Sequence, residues 1–242
     1  ITGVASTTVA YTEYNISAYS EQYYYNLEDS MRIVIKTQTV SGSPIGTKLK
    51  ATLRSEYWGY EGKRWEYKNL QSTDFETNKT TGETSIAFKV SKSGYYYVDI
   101  EGEDSRGRKT TATTYAYVIQ EGDYAYNWWQ KNTSNITIMT DKKVYKAGEK
   151  VEAVIFTKHE ADVLITANGR KLTYYQVHEM KGVEPPVKGA GNGAMKKLSF
   201  EFEPDAYGNV EISVAYYQNN TLQSSTQTVT FIPDHKYLNV SL

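Results

Sequence analysis

Hydrophobic and polar residues alternate along this chain with a period of two, and no stretch sustains the three-to-four spacing of a helix. Met31, Ile33 and Ile35 share one face, while Arg32 and Lys36 share the other. The same alternation returns over Leu49 to Leu53, through Ile86, Phe88 and Val90, and over Gly94 to Ile100. Thr110 to Ile119, rich in β-branched and aromatic residues, reads as the last strand of the first half. Ile1 to Ala10 reads as an opening strand, and Tyr11 to Tyr25 as either one strand or a loop. Turn signals fall between these runs at Ser41 to Gly46, Thr80 to Glu83 and Asp104 to Arg108. In the last of these, Gly107 can take the positive φ that a tight hairpin demands. Ser55 to Asn69, with Trp58, Gly59, Gly62 and Trp65, is expected to be an exposed hairpin or loop tip. Roughly seven short strands over the first half predict a β-sandwich.

A second strand series follows a change of composition between Gln120 and Ser134. Its members are Ile136 to Met139, Val151 to Phe156, Val163 to Ala167, Leu172 to Met180, Lys197 to Glu203, Val210 to Tyr216 and Thr226 to Ile232. Asn168-Gly169 marks a two-residue hairpin, and Asn219-Asn220 marks a further turn. Lys181 to Met195 carries Pro185-Pro186 and four glycines and is expected to be a long loop, a candidate contact surface. The alternation of Leu238, Val240 and Leu242 is expected to open another domain. The expected organisation is all-β, as two tandem antiparallel β-sandwich domains of about seven strands each. The first spans 1–122, a Trp/Tyr-rich linker or seam 123–134, the second sandwich 135–235, and the start of a following domain 236–242. Trp128 and Trp129 are expected to pack the interdomain seam.

Composition narrows the function. With 39% hydrophobic and 23% charged residues, the chain has too much apolar content for disorder. The net charge of −1 leaves no electrostatic footprint for nucleic acid. No apolar run reaches the roughly 18 residues of a membrane-spanning helix, so no transmembrane segment is expected. The absence of cysteine removes disulfides, thiolate metal sites and thiol nucleophiles together. The chain begins at Ile1, as a mature or excised segment does. Tyrosine is the outlier at 23 residues. Strand formers in a sandwich account for it, and nothing in the spacing singles out a sugar-stacking platform.

Catalytic chemistry finds no support in the pattern. Gly189 to Ala194 has the dinucleotide spacing, but a Pro-rich loop precedes it and a strand follows, where a strand and a helix are required. His159, His178 and His235 lack metal-protease spacing. Glu101, Glu103 and Asp104 lack the ligand order of a calcium loop. No Gly-x-Ser-x-Gly elbow occurs. Six Asn-x-Ser/Thr sequons, at Asn15, Asn78, Asn132, Asn135, Asn219 and Asn239, are those an Asn- and Thr-rich chain produces by chance. No catalytic residue, cofactor or metal is expected.

One stretch carries more information. Asp141-Lys-Lys-Val-Tyr-Lys-Ala-Gly-Glu149 resembles the Asp-x-x-x-Tyr-x-x-Gly-Glu opening of macroglobulin-type domains in the alpha-2-macroglobulin family. Asp141, Tyr145, Gly148 and Glu149 carry the motif. Gly94 and Tyr95, followed by Asp104, Gly107 and Arg108, resemble that family's Gly-Tyr-Tyr and Asp-x-x-Gly-Arg hairpin as it occurs in bacterial members.

The resemblance implies two consecutive macroglobulin-like (fibronectin III-like) sandwiches. It also implies a non-catalytic, extracytoplasmic scaffold segment of a protease-trapping protein in the periplasm, at the cell surface or secreted. The implied partners are neighbouring domains of the same polypeptide and target proteases. Many family members carry a thioester built from Cys and Gln; with no Cys, this chain cannot contain that centre. The alternative is a cell-surface adhesion or carbohydrate-binding domain pair, suggested by the aromatic residues near Trp58, Trp65 and Trp128.

Overall fold

A computed structural model describes residues 11–59, 64–120, 134–169, 172–182, 193–202 and 208–232. Trp128, Trp129 and the terminal alternation at 237–242 lie outside the described residues. Every regular element among the described residues is a strand. The chain divides into two compact units, one of Ile1–Glu21, Glu28–Val90 and Tyr95–Ala116, the other of Gln22–Leu27, Ser91–Gly94 and Tyr117–Leu242.

The first eight strands are β1 (Tyr14–Ser20), β2 (Tyr24–Asn26), β3 (Met31–Thr39), β4 (Lys48–Gly59), β5 (Arg64–Glu76), β6 (Glu83–Phe88), β7 (Gly94–Glu103) and β8 (Lys109–Ile119). They build a three-stranded sheet β1-β3-β6 and a five-stranded sheet β2-β8-β7-β4-β5. The last eight are β9 (Ile136–Thr140), β10 (Val144–Lys146), β11 (Val151–Thr157), β12 (Ala161–Asn168), β13 (Leu172–Met180), β14 (Ala194–Phe200), β15 (Gly208–Gln218) and β16 (Thr221–Ile232). Their sheets are β9-β11-β14 and β10-β16-β15-β12-β13. The second set thus repeats the first strand for strand, in the same order and with the same split between sheets.

The two-residue period decides what is inside. Met31, Ile33 and Ile35 are buried on β3, and Leu49, Ala51 and Leu53 on β4. In the last eight strands the core is contiguous: Ile136, Ile138, Val151, Ala153, Ile155, Val163, Ile165, Ala167, Ile212, Val214 and Val229 pack with Tyr145 and Phe231. At about 25 cal/mol per Å² of apolar surface removed from water, such rows supply the main driving force for each sandwich.

Of the hairpin or loop tip expected at Ser55–Asn69, the structure has the hairpin, whose long arms β4 and β5 pair from Lys48↔Glu76 to Gly59↔Arg64 with a register shift after Leu53. The structure departs from the pattern in its opening corners. Each set has eight strands, one more than expected, because a three-residue strand hides in each opening corner. Those short strands pair parallel, β2 with β8 and β10 with β16, in sheets whose other pairings are antiparallel where the register is known. Three residues are too few to show a period, so alternation could not reveal them. The hairpin signals at Asn168-Gly169 and Asn219-Asn220 lie where β12 meets β13 and β15 meets β16. Asn219 and Asn220 both have positive φ, 51° and 59°, as a two-residue hairpin turn of the primed type requires.

Candidate functional site

The motif residues Asp141, Tyr145 and Glu149 converge on the corner that carries the chain from β9 through β10 into β11. Tyr145 is 1% exposed, with its ring stacked on Phe231 at 5.6 Å between centroids. Its hydroxyl donates to the Asp141 carboxylate and accepts from the Lys142 amide at 3.3 Å. Asp141 also accepts from the Glu152 amide at 3.2 Å, and its own amide donates to the Glu152 carbonyl at 2.9 Å. These bonds tie the first residue of the corner to the start of β11. Glu149 closes the other side, accepting from the Lys146 amide and the Lys142 ammonium, each at 2.8 Å. Gly148, between them, has φ +81°, and no atom outside its immediate chain neighbours lies within 4 Å of where a side chain would begin. Backbone conformation, rather than space, selects glycine there.

The electrostatics follow from this packing. Burial pushes the Asp141 carboxyl above its ordinary range, against the lowering effect of the Tyr145 hydroxyl and Lys142. Burial, reinforced by donation to Asp141, also pushes the Tyr145 phenol well above its ordinary range, so it remains a proton-bearing donor. The Lys142 ammonium and the Lys146 amide hold Glu149 below the usual carboxylate range. The network contains a locked acid–phenol pair and a salt bridge.

The corner between β1 and β3 is built the same way, which the sequence reading missed. The Gln22 amide donates to the Tyr25 hydroxyl at 3.2 Å, as Lys142 does to Tyr145. The Glu21 amide donates to the Arg32 carbonyl at 3.1 Å, as Asp141 does to Glu152. The Leu27 amide reaches the Ile119 carbonyl at 3.0 Å, as Ala147 reaches Ile232 at 3.2 Å. Acid and tyrosine stand at the same spacing in both, Glu21 with Tyr25 and Asp141 with Tyr145. The signal was present, but three consecutive tyrosines concealed which one mattered, and Glu28 stands where the second corner has Gly148.

The other predicted residues form a second cluster at the β7–β8 hairpin. Asp104 is buried and accepts from the Arg106 and Arg108 amides at 2.9 and 3.0 Å, from the Arg108 Nε at 2.8 Å and from the Glu13 amide at 3.2 Å. Burial alone would raise its pKa, but the Arg108 guanidinium and three amides overcome it and hold the carboxyl at about 2. Gly107 has φ +71°, and Glu13 lies within salt-bridge reach of Arg106 and Arg108. Asp104 is therefore consumed by the hairpin it organises. Gly94, with φ +150°, opens β7, and Tyr95 lies on that strand away from both clusters. Among the described residues, no group of three or more His, Asp or Glu is placed to hold a metal ion.

Residues 136–242 match the family of the alpha-2-macroglobulin bait region domain. That stretch begins at β9 and takes in the whole acid–tyrosine corner. The matched stretch, somewhat less than half of the chain, is similar to the bait region domain of alpha-2-macroglobulins. An alpha-2-macroglobulin homolog from Nostoc sp. is 25% identical over 124 residues, 51% of this chain and 6% of that relative. The chain thus spans a small fraction of the length of the relative it matches. The trypsin-activated alpha-2-macroglobulin from Escherichia coli aligns over 95% of this chain and 17% of its own, with 12% identity and a TM-score of 0.39. A Salmonella alpha-2-macroglobulin mutant aligns over 90% and 16%, with 8% identity and a TM-score of 0.33. Of the two sequence-predicted clusters, the acid–tyrosine corner lies within the matched residues 136–242 and the β7–β8 hairpin precedes them.

Proposed function

We propose that this chain is a non-catalytic scaffold segment of a protease-trapping protein that acts outside the cytoplasm. The observation that carries the reading is the bait region match, which starts at β9 and covers the acid–tyrosine corner. The repeated topology supports a second macroglobulin-like domain ahead of it, since β1 to β8 reproduce β9 to β16 in order and sheet assignment. The corner suits scaffolding: its carboxylates and hydroxyl are spent on fixing the backbone rather than turned toward a substrate. In this reading the motif residues Asp141, Tyr145, Gly148 and Glu149, with Asp104, Gly107 and Arg108, hold geometry. Neighbouring domains of the same polypeptide and attacking proteases are the partners.

The experiment is a trapping assay on the full-length parent protein. Incubation with trypsin is expected to cleave within Lys181 to Met195, the Pro- and Gly-rich stretch that includes Lys188. The trapped protease should keep activity on a small peptide substrate while losing it on a large protein substrate. Equal loss on both substrates, or no change on either, would reject the trapping reading.

A further inference from the structure

A group of aromatic and charged residues remains unused by the corner, the hairpin or the protease-trapping reading. It lies wholly in the first compact unit, on the outward face of the sheet β2-β8-β7-β4-β5. Tyr95 and Tyr97 on β7 point outward, alternating with buried Tyr96 and Val98. Tyr95 stacks on Tyr115 of β8 with centroids 5.4 Å apart, and Tyr97 meets Tyr67 of β5 edge to face at 6.1 Å. The Arg54 guanidinium of β4 lies over both Tyr67 and Tyr97, at 4.3 and 4.7 Å from their centroids. Asp99 fixes it from one side at 2.5 Å and accepts from the Thr113 hydroxyl at 2.7 Å. Tyr67 and Tyr115, the two ends of the row, are each 53% exposed.

The fold does not require this row. The second set of strands builds the same five-stranded sheet, yet across its outward face Thr166, Ser213 and Thr226 stand in a row that ends in a single tyrosine, Tyr175 of β13. Thr and Tyr are both good strand formers, so strand propensity does not select four tyrosines and an arginine here. The row is also preorganised, because mutual ring packing and the Arg54–Asp99 pair restrict the side chains before anything binds.

The charges of the face decide what it fits. Arg54 is matched by Asp99, and Lys50 stands between its cross-strand neighbours Glu101 and Asp74. Burial, with Tyr115, Tyr97 and Glu56 nearby, pushes the Tyr95 phenol well above its ordinary range and keeps it neutral. Among the described residues, no unmatched stripe of either sign runs along the rings to draw a polyanion or a polycation. What the face offers is ring surface bordered by hydroxyl, carboxylate and guanidinium groups. Those groups complement an uncharged ligand with apolar C–H faces and many hydroxyls. Three inter-strand steps of about 4.8 Å carry the row from β8 to β5 over about 14 Å, enough for several linked sugar rings.

From this the geometry points to a saccharide-binding face on the first unit, formed by Tyr67, Tyr95, Tyr97 and Tyr115 around Arg54, that takes an uncharged oligosaccharide. The rings stack on the sugar C–H faces, while Asp99, Thr113 and Arg54 bond hydroxyl groups at the border. This site is independent of protease trapping and would hold the protein at a polysaccharide surface.

The test is isothermal titration of the intact chain with cellohexaose and with the hexamer of N-acetylglucosamine, with heparin as the polyanion arm. At least one neutral hexamer is expected to bind and heparin is not. Tyr67→Ala and Tyr115→Ala should each weaken binding roughly tenfold, the scale of a lost aromatic contact. Tyr67→Phe should keep affinity, as should Leu222→Ala, an exposed change in the second unit. Circular dichroism and melting curves are expected to match the parent for all four variants, since both tyrosines are half exposed. No binding of either hexamer at millimolar concentration, or equal binding by the two tyrosine-to-alanine variants, would overturn the proposal. So would preference for heparin. Self-association abolished by Tyr67→Ala without any saccharide binding would assign the face to a second copy of the chain, and that too overturns it.

Discussion

Tyr145 and Asp141 show how one contact can organise a corner. The tyrosine ring stacks on Phe231 in the core, while its hydroxyl reaches back to a carboxylate that burial makes costly to ionise. Replacing Tyr145 with Phe keeps the ring and removes the donor, leaving Asp141 one partner short. The expected cost is about 1.5–3 kcal/mol, the range for a hydrogen bond to a charged group, measured as a fall in the urea midpoint at constant slope. Asp104 behaves in the opposite sense to Asp141 on titration. Its folded pKa is about 2 against an ordinary 3.8, so the folded state binds the proton more weakly than the unfolded chain. The stability it contributes is complete above about pH 4 and drains away as pH falls toward about 2. An Asp104→Asn variant should therefore be less stable than the parent near neutral pH, with the gap narrowing through that window in acid denaturation. For Asp141 the raised pKa means that the folded state favours the proton, so its ionisation costs stability as pH rises above the ordinary carboxylate range.

At the scale of the element, the opening corners explain why a three-residue strand is worth forming. β10 and β2 each cover one edge of a five-stranded sheet, pairing parallel to β16 and β8. An uncovered edge would present unpaired amides and carbonyls, a template for unwanted strand addition. Holding the edge strand in place requires the chain to reverse twice within a few residues, and Gly148 absorbs one reversal at φ +81°. Gly148→Val should destabilise by at least about 1 kcal/mol, because a β-branched residue fits that backbone region poorly. The outcome is read as a lower melting temperature. An unchanged melting temperature would mean that the corner can relax without a left-handed residue.

The whole molecule is one plan used twice. Each set of eight strands divides three and five between its sheets, and the core residues follow the same alternation in both. Ile165 of β12 is fully buried in the core of the second set. Ile165→Ala should cost about 2–5 kcal/mol through lost burial and the cavity left behind. Hydrogen exchange over 151–168 checks it, and faster exchange confined to the last eight strands is the expected result. The repetition also works as an internal control. Where the two sets differ on equivalent sheets, as in the tyrosine row around Arg54, the fold is not the reason, and a surface role becomes the better explanation.

The sequence alone determined the strands long enough to show a period. Met31, Ile33 and Ile35 announce an inward face because a strand sends alternate side chains to opposite sides. It also determined the position of the corner, since Asp141, Tyr145, Gly148 and Glu149 stand at a spacing that resembles a known family. Only the tertiary structure decided what these residues do to one another. The corner's bonds join Asp141 to Glu152 and Ala147 to Ile232, and β10 takes its place against a strand more than eighty residues later. For the same reason the tyrosine row was invisible as a row. Arg54, Tyr67, Tyr97 and Tyr115 lie on four separate strands, and only sheet order and register set them side by side. Local patterning follows from the geometry of a single strand, whereas adjacency across a sheet is settled when distant strands pair.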